Sequence, residues 1–303
     1  MTTGGVQRAP SAVRVRVPAS TANLGPGFDA LGMALAMYDE VEIAVTGEGL
    51  EVEVIDAGAG EVAGIPTDET HLVVRAFRRA CEHLGWRPPG VRLRCRNTIP
   101  HARGLGSSAA ALITGIVAAY ALAGRQHDDA LLGLAAEFEG HADNAAASLL
   151  GGVVIAWREP EALWRATRVA PHPAIRPVVA VPAQRSSTEA TRGLLPEQIP
   201  HADAAFAAGR AALGVHALST APELLFAGTE DRLHQHYRAA AYPATTRLIS
   251  ALRRQGIAAT VSGAGPTVLA LTTDGALPAE ADTAGFVVSE LPIDLDGVTV
   301  TEL

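Results

Sequence analysis

Residues 99–124 read IPHARGLGSSAAALITGIVAAYALAG, and the fold has to be one that can bury this stretch. A glycine-rich turn passes through two serines into small and apolar residues that continue to Gly124, the pattern of one long helix. A helix apolar nearly all round belongs inside, with other layers of structure around it. At its mouth, glycines let the backbone approach an anion, serines can cap free N–H groups, and the aligned peptide dipoles place about half a positive charge. Two readings of Gly104 to Ser108 stay open on these residues: a capped buried helix, or a cradle that holds a phosphate without lysine.

Working outward, VRVRV at 13–17, YDEVEIAV at 38–45 and VRLRC at 91–95 alternate as half-buried strands do, and PASTANLGPGFDALG between the first two reads as a turn-rich loop. After the long helix, DDALLGLAAEFEGHADNAAASLLGG keeps helical periodicity through Phe138, breaks at Gly140, resumes, and stops at Gly151-Gly152 before a strand, VVIAW. Proline and arginine punctuation from Trp157 onward puts a soft domain boundary around 155–170. Beyond it PVVAVPA reads as a strand, 201–254 as several helices, and GIAATVSGAGPTVLALT as strand, glycine loop, strand. The class expected is α+β.

Composition narrows the chemistry. The chain has 303 residues, 48% hydrophobic and 18% charged, which is globular, excludes disorder and fibrous repeats, and suffices for two domains. All 24 basic residues are arginine, so a Walker-type lysine loop, a protein-kinase strand lysine and a pyridoxal Schiff base are excluded. A net charge of -8 argues against a nucleic-acid partner, which requires a clustered basic face. Cys81 and Cys95 are too few for a disulfide framework and lack metal-ligand spacing, so a reducing cytosol is expected. The opening MTTGGVQRAPSA has no apolar core, and the stretch 109–123 is too short and alanine-rich to span a bilayer; the expectation is a soluble cytoplasmic protein with no membrane partner.

GLGSSA also matches the loose dinucleotide pattern Gly-x-Gly-x-x-Gly/Ala, with Asp128 and Asp129 about 20 positions on. The context fails, because NTIPHAR separates the glycines from the preceding strand and no second strand begins before the acidic pair.

Two further glycine loops, ANLGPGFD at 22–29 and SGAGPT at 262–267, make three, and together they suggest a cleft built from distant segments. The ordered set PASTANLGPGFDALG, IPHARGLGSSAAA and VSGAGPTVLAL resembles the three motifs of the GHMP kinase superfamily, whose phosphate loop has no lysine. Within it, Ser20 to Asp29, with a variation at Thr21, and EGHADN at 139–144 are similar to the homoserine kinases. The resemblance implies a two-domain fold: a ribosomal-protein-S5-domain-2-like ATP-binding domain over 1–160 and a ferredoxin-like α/β sandwich over 161–303. It implies ATP-dependent phosphorylation of the L-homoserine hydroxyl in threonine biosynthesis, Mg2+ as cofactor, and a homodimer. Alternatives are a sibling kinase for a mevalonate-, shikimate- or sugar-like hydroxyl, or a non-catalytic nucleotide- or amino-acid-binding regulator.

Carried over residue by residue, Pro100, Arg103, Gly104, Leu105, Gly106, Ser107 and Ser108 are expected around the ATP phosphates, and Ser262, Gly263 and Gly265 in the third loop. Magnesium needs hard oxygen ligands; Ser108 and Glu139 are expected, with Ser107 as alternative or loop support. Asp29 would take the substrate ammonium, with Asn23 and His141 lining the pocket, and Arg192 and Arg238 would take the carboxylate. Asn144 and Arg192 are the catalytic expectations. Asn144 stands where other relatives carry an aspartate base and cannot accept a proton, so a base-free route is implied, with Asp143 an available base and His141 a poorer one. Ala142 and the AAAS after Asn144 depart from the family pattern. The adenine pocket is expected near PTDETHLVVRAF at 66–77, with no residue singled out.

Overall fold

The protein, seen in a computed structural model, is described over residues 10–60, 62–160 and 163–303. Its first half runs β1 (Ala12–Ala22), β2 (Leu31–Thr46), β3 (Gly49–Asp56), α1 (Leu72–Leu84), β4 (Gly90–Asn97), α2 (Ser107–Leu122), α3 (Leu131–Glu139), α4 (Asp143–Leu150), β5 (Val153–Arg158) and β6 (Trp164–Val169). The second half runs β7 (Arg176–Pro182), α5 (Thr188–Arg192), α6 (His201–Ser219), α7 (Leu225–Gly228), α8 (Gln235–Arg238), α9 (Pro243–Arg254), β8 (Ala258–Val261), β9 (Val268–Thr272), β10 (Phe286–Glu290) and β11 (Thr299–Glu302).

The valine–arginine alternation of β1 does what period-two patterning requires. Val13, Val15 and Val17 are sealed in the core, while Arg14 reaches Glu42 of β2 at 2.7 Å on the outer face. The same outer face carries the Arg92–Glu51 and Arg94–Glu53 pairs between β4 and β3. Strand β1 continues through PASTA to Ala22, where a turn was expected. Its register with β2 shifts between Pro18 and Ala19, and that bulge absorbs the missing proline N–H so that pairing resumes beyond it. The turn proper is confined to residues 23–30.

The larger sheet has the order β11-β1-β2-β4-β3, with β5 paired to β2 and β6 to β5; only β3 and β4 run parallel, joined through α1. Helix α2 is buried along both flanks, as its all-round apolarity demands. It crosses α1 at Gly115, where an added Cβ would lie 2.4 Å from the Val73 carbonyl oxygen. The smaller sheet, order β10-β7-β9-β8, is wholly antiparallel and packs Leu248 and Leu252 of α9 on one side. Val179, Leu269 and Leu271 of the same sheet join Ala217, Leu218 and the first-sheet residues in one continuous core. A division at 160/161 falls inside the β5–β6 hairpin, and β11 returns to close the first sheet, so the last strand belongs with the first half of the chain. Strands β3, β6, β10 and β11 and helices α1 and α5 lie outside the elements expected from the sequence.

One buried charge on β2 governs the approach to the glycine turn. Asp39 is 5% exposed, and its Oδ1 accepts from the backbone N–H of Thr98 at 2.6 Å and of Ile99 at 2.9 Å. Burial pushes its carboxyl up to about 6 against the pull of those bonds. Because the folded value lies above the unfolded one, the fold binds the extra proton between roughly pH 4 and 6, and stability falls by about 3 kcal/mol as pH rises through that window. Asp39→Asn keeps the Oδ1 acceptor for both backbone groups; its N–H2 replaces the Oδ2 that accepts from Asn97 Nδ2 at 3.3 Å, so the Asn97 amide has to flip and offer the Oδ1 that is now buried without a partner. Urea unfolding at pH 4.5 and 7.5 should show the variant gaining on the wild type by about 1–3 kcal/mol between the two. An unchanged difference would count against this charge.

Candidate active site

The three glycine loops, far apart in sequence, touch. Gly104 and Gly106 both have positive φ, 78° and 69°. A Cβ on Gly104 would lie 2.4 Å from the Ser262 carbonyl oxygen, and one on Gly106 would lie 2.1 Å from Ser20 Oγ. Ser262 Oγ donates to the Gly104 carbonyl at 2.5 Å, and Asn23 Nδ2 donates to the Gly263 carbonyl at 2.9 Å. Asn23 Oδ1 in turn accepts from the Asp29 N–H at 3.0 Å, which holds the first loop's far end. Gly265 packs against Tyr242.

The serines do not cap helix α2. Its N-cap is Gly106, with no side-chain bond, so the N–H groups of the first turn stay uncapped by any side chain. Ser107 Oγ sits 2.6 Å from His101 Nδ1, and the exposed Ser108 lies beside Glu139 at the end of α3, where its hydroxyl favours the charged carboxylate. Gly104 and Gly106 remain partly open to solvent while Leu105 is fully buried and its carbonyl accepts from Ser20 N. The start of the helix is therefore open at its two glycines and not sealed. Pro100 lies in the segment leading in, half-buried. Arg103, expected at the phosphates, instead donates to the carbonyls of Pro182, His101 and Ala183, tying the turn to the end of β7.

Glu139 is the last residue of α3, and His141, Asp143 and Asn144 follow the break at Gly140, whose φ of 80° ends that helix. His141 Nδ1 is 2.7 Å from Asp143 Oδ1, and the same oxygen accepts from the Asn144 N–H at 2.8 Å. Burial drives the Glu139 carboxyl upward, His141 and the Ser108 hydroxyl offsetting part of it. His141 is driven down by burial but more strongly up by Asp143, Glu139 and Asp29, so its net shift is upward. Asn144 Nδ2 donates to Ser20 Oγ at 3.1 Å, and Ser148 Oγ donates toward the same oxygen at 3.2 Å, pinning Asn144 beside Gly106. Two oxygen-rich sets could hold a cation: Ser108 with Glu139, and Asp29, His141 and Asp143, whose ligand atoms lie within 4.8 Å of one another.

Asp29 and Arg192, expected to grip opposite ends of a zwitterion, grip each other. Both guanidinium nitrogens donate to the two carboxylate oxygens at 2.8 Å. Arg238 is 1% exposed, donates to the Thr191 carbonyl and lies 3.3 Å from His234 Nδ1. Among the described residues it has no carboxylate within ion-pair distance, and burial pushes its guanidinium below its ordinary value. Phe28 lies beneath both arginines, 5.2 Å from Arg192 Cζ and 5.4 Å from Arg238 Cζ. Asn23, Asp29, His141, Asn144, Arg192 and Arg238 line one cavity of about 30 Å³, enough for a water or two. Sequence reasoning did not find Phe28, Ser20 or His234 as site groups; the first two sat in the quoted motif, but nothing local marked their use. In the expected adenine segment, His71 is buried with Nδ1 unpartnered.

Residues 71–152 match the GHMP kinases N terminal domain and residues 210–291 the GHMP kinases C terminal model. The chain is 52% identical to a homoserine kinase of Rhodococcus opacus over 94% of this chain and 96% of that one. It is likewise 52% identical to one of Streptomyces coelicolor, covering 97% and 96%. A crystal structure of homoserine kinase from Cytophaga hutchinsonii superposes with a TM-score of 0.81 at 25% identity, over 99% of this chain and 100% of that one.

Proposed function

The chain belongs to the GHMP kinase superfamily and to the homoserine kinases within it, and from that premise we propose that the crevice among its three glycine loops is where phosphoryl transfer occurs. The reaction is ATP-dependent phosphorylation of the L-homoserine hydroxyl to O-phospho-L-homoserine, a step toward threonine. Among the described residues no helix is long and apolar enough to cross a membrane, and we take the cytoplasm as its place of work.

One observation carries the placement of the acceptor: Arg238 is a buried cation with no carboxylate within ion-pair distance among the described residues, on the wall of a cavity whose other walls carry Asp29, His141 and Asp143. A buried unpaired charge is expensive, and a ligand carboxylate relieves it. The acidic wall suits an ammonium. At about 30 Å³ the cavity is too small for a four-carbon amino acid, so homoserine enters by exchanging ion pairs: its carboxylate takes Arg192 with Arg238, and its ammonium takes Asp29. The Arg192 and Asp29 side chains are 39% and 32% exposed, which makes their mutual pair a weak one that a substrate can open.

The ATP phosphates meet the uncapped N–H groups from Gly104 to Ser108, where the helix dipole supplies what a lysine does elsewhere. Glu139, a carboxylate raised by burial beside a serine hydroxyl, fits magnesium as a hard oxygen set. Bound there, the metal supplies charge neutralisation for the phosphates. Ser262, Gly263 and Gly265 hold the third loop against Gly104 and Asn23, and Asn144, fixed through Ser20, orients the acceptor hydroxyl without taking its proton. The upward shift of His141 favours its protonated form, that of a donor, and Asp143 is occupied in bracing it. The proton then goes to the transferred phosphoryl group.

The direct test follows ADP release by the pure protein with Mg-ATP and homoserine, mevalonate, shikimate or galactose. Stimulation by homoserine alone is expected; none by homoserine would remove the acceptor. Asp143→Asn keeps the oxygen that His141 and Asn144 use, so its kcat should fall less than tenfold, where loss of a true base is about a hundredfold or more. A hundredfold fall with ATP binding intact would make the His141–Asp143 pair the base.

A further inference from the structure

A second cavity, about 570 Å³, lies in the C-terminal half against the α8 turn. His234 and Arg238 face Phe28 and the crevice, while Gln235, His236 and Ala239 line this other space. Its size is that of a small-molecule pocket. Phe206, Ile249, Ala259 and Val261 give it apolar walls.

The polar groups around it are unequally satisfied. Gln235 Oε1 accepts from the Val261 N–H at 2.8 Å and from Thr260 Oγ1 at 3.0 Å, while its N–H2 has no partner among the described residues. Arg253 donates to Thr229 Oγ1, to the Ala259 carbonyl and to the Phe226 carbonyl, and no carboxylate lies within ion-pair distance of it among the described residues. Burial lowers its guanidinium, with Glu230 opposing. The acids nearby are committed elsewhere. Glu230 pairs with Arg210 at 2.7 Å, Asp203 with Arg232 at 3.3 Å, and Asp231 accepts from the N–H groups of Leu233, His234 and Gln235. What remains is a donor-rich end carrying an undercompensated positive charge, set against hydrocarbon.

Both donors adjoin the crevice. Gln235 holds Val261, the residue before Ser262 and Gly263. Arg253 holds Thr229, against whose backbone Gly25 of the first loop packs so closely that a Cβ there would lie 2.6 Å from the Thr229 oxygen. We propose that this cavity is an effector site for a small aliphatic carboxylate, coupled to the acceptor pocket through the α8 turn and Thr229. The coupling half rests on Arg238 serving the acceptor; the binding half does not. Linkage then requires that homoserine and the effector alter each other's affinity by one factor.

The test is calorimetric titration of the full chain with butyrate, succinate, the aliphatic L-amino acids and inorganic phosphate, with and without saturating homoserine, beside homoserine kinetics at each probe. At least one carboxylate should bind in the presence of homoserine and change the homoserine KM threefold or more. Ser250→Trp fills the cavity from α9, and Ser250→Leu does so more gently if tryptophan is not tolerated. Either should weaken that probe tenfold or more while kcat and KM without it stay within twofold. No carboxylate binding alongside homoserine overturns the proposal, as does binding that the Ser250 variants leave unchanged. Phosphate binding as tightly as the best carboxylate replaces it with a bare-anion site. Homoserine turnover without probes reports separately on the kinase reading.

Discussion

Gly106→Ala is expected to reduce kcat/KM at least a hundredfold and to destabilise the protein as well. Two penalties fall on one atom. The residue has φ of 69°, a region that costs an L side chain about 1–2 kcal/mol. Its Cβ would lie 2.1 Å from Ser20 Oγ, which cannot retreat because Asn144 Nδ2 and Ser148 Oγ both bond it. Relief has to come from moving the glycine turn or Asn144, the two groups proposed to hold phosphate and acceptor, and a shift of about 1 Å can cost a hundredfold in rate. Kinetics and thermal unfolding of the variant check this. Gly209→Ala, on the exposed side of α6 with nothing within 4 Å, is the control and should be neutral or stabilise by about 0.5–1 kcal/mol. A near-wild-type Gly106→Ala would mean the turn is not the phosphate seat.

Arg192→Ala should lower catalytic efficiency for homoserine ten- to a hundredfold, the equivalent of a charge-assisted contact of about 1.5–3 kcal/mol. Most of the loss should appear in KM, since a carboxylate clamp acts on the bound and the reacting substrate alike. Asp29→Ala should fall in the same range. Because the two residues bond each other at 2.8 Å in the free protein, their effects on stability should be small and less than additive in the double variant. Steady-state kinetics with urea unfolding of the three variants decides this. Unchanged efficiency in both single variants would place the acceptor elsewhere.

Much of this architecture was legible in advance, for reasons that can be named. The Val13-Val15-Val17 alternation, the apolar run of α2 and the break at Gly140 are local patterns, and burial follows from them directly. Pro18 misled because a proline inside a strand is tolerated only where the pairing bulges, and bulges leave no local mark. Strand β11 was missed because its four residues are exposed and owe their conformation to β1. The serines at 107 and 108 suggest caps by composition, yet the Ser107 hydroxyl turns to His101 and Ser108 lies beside Glu139, residues whose proximity is a property of the fold.

From the amino-acid order alone come the absence of lysine and the three glycine loops, since each is a matter of residue type and spacing; the side chains expected around a phosphate and a zwitterion follow from the resemblance of those loops to the homoserine kinases. Only the packed chain decides that Arg103 straps β7, that Asp29 closes on Arg192, and that Arg238 is left buried with no carboxylate within ion-pair distance among the described residues. Charge acts through space, so a cation's partner is chosen by which segments the core brings together, and no local pattern records that choice.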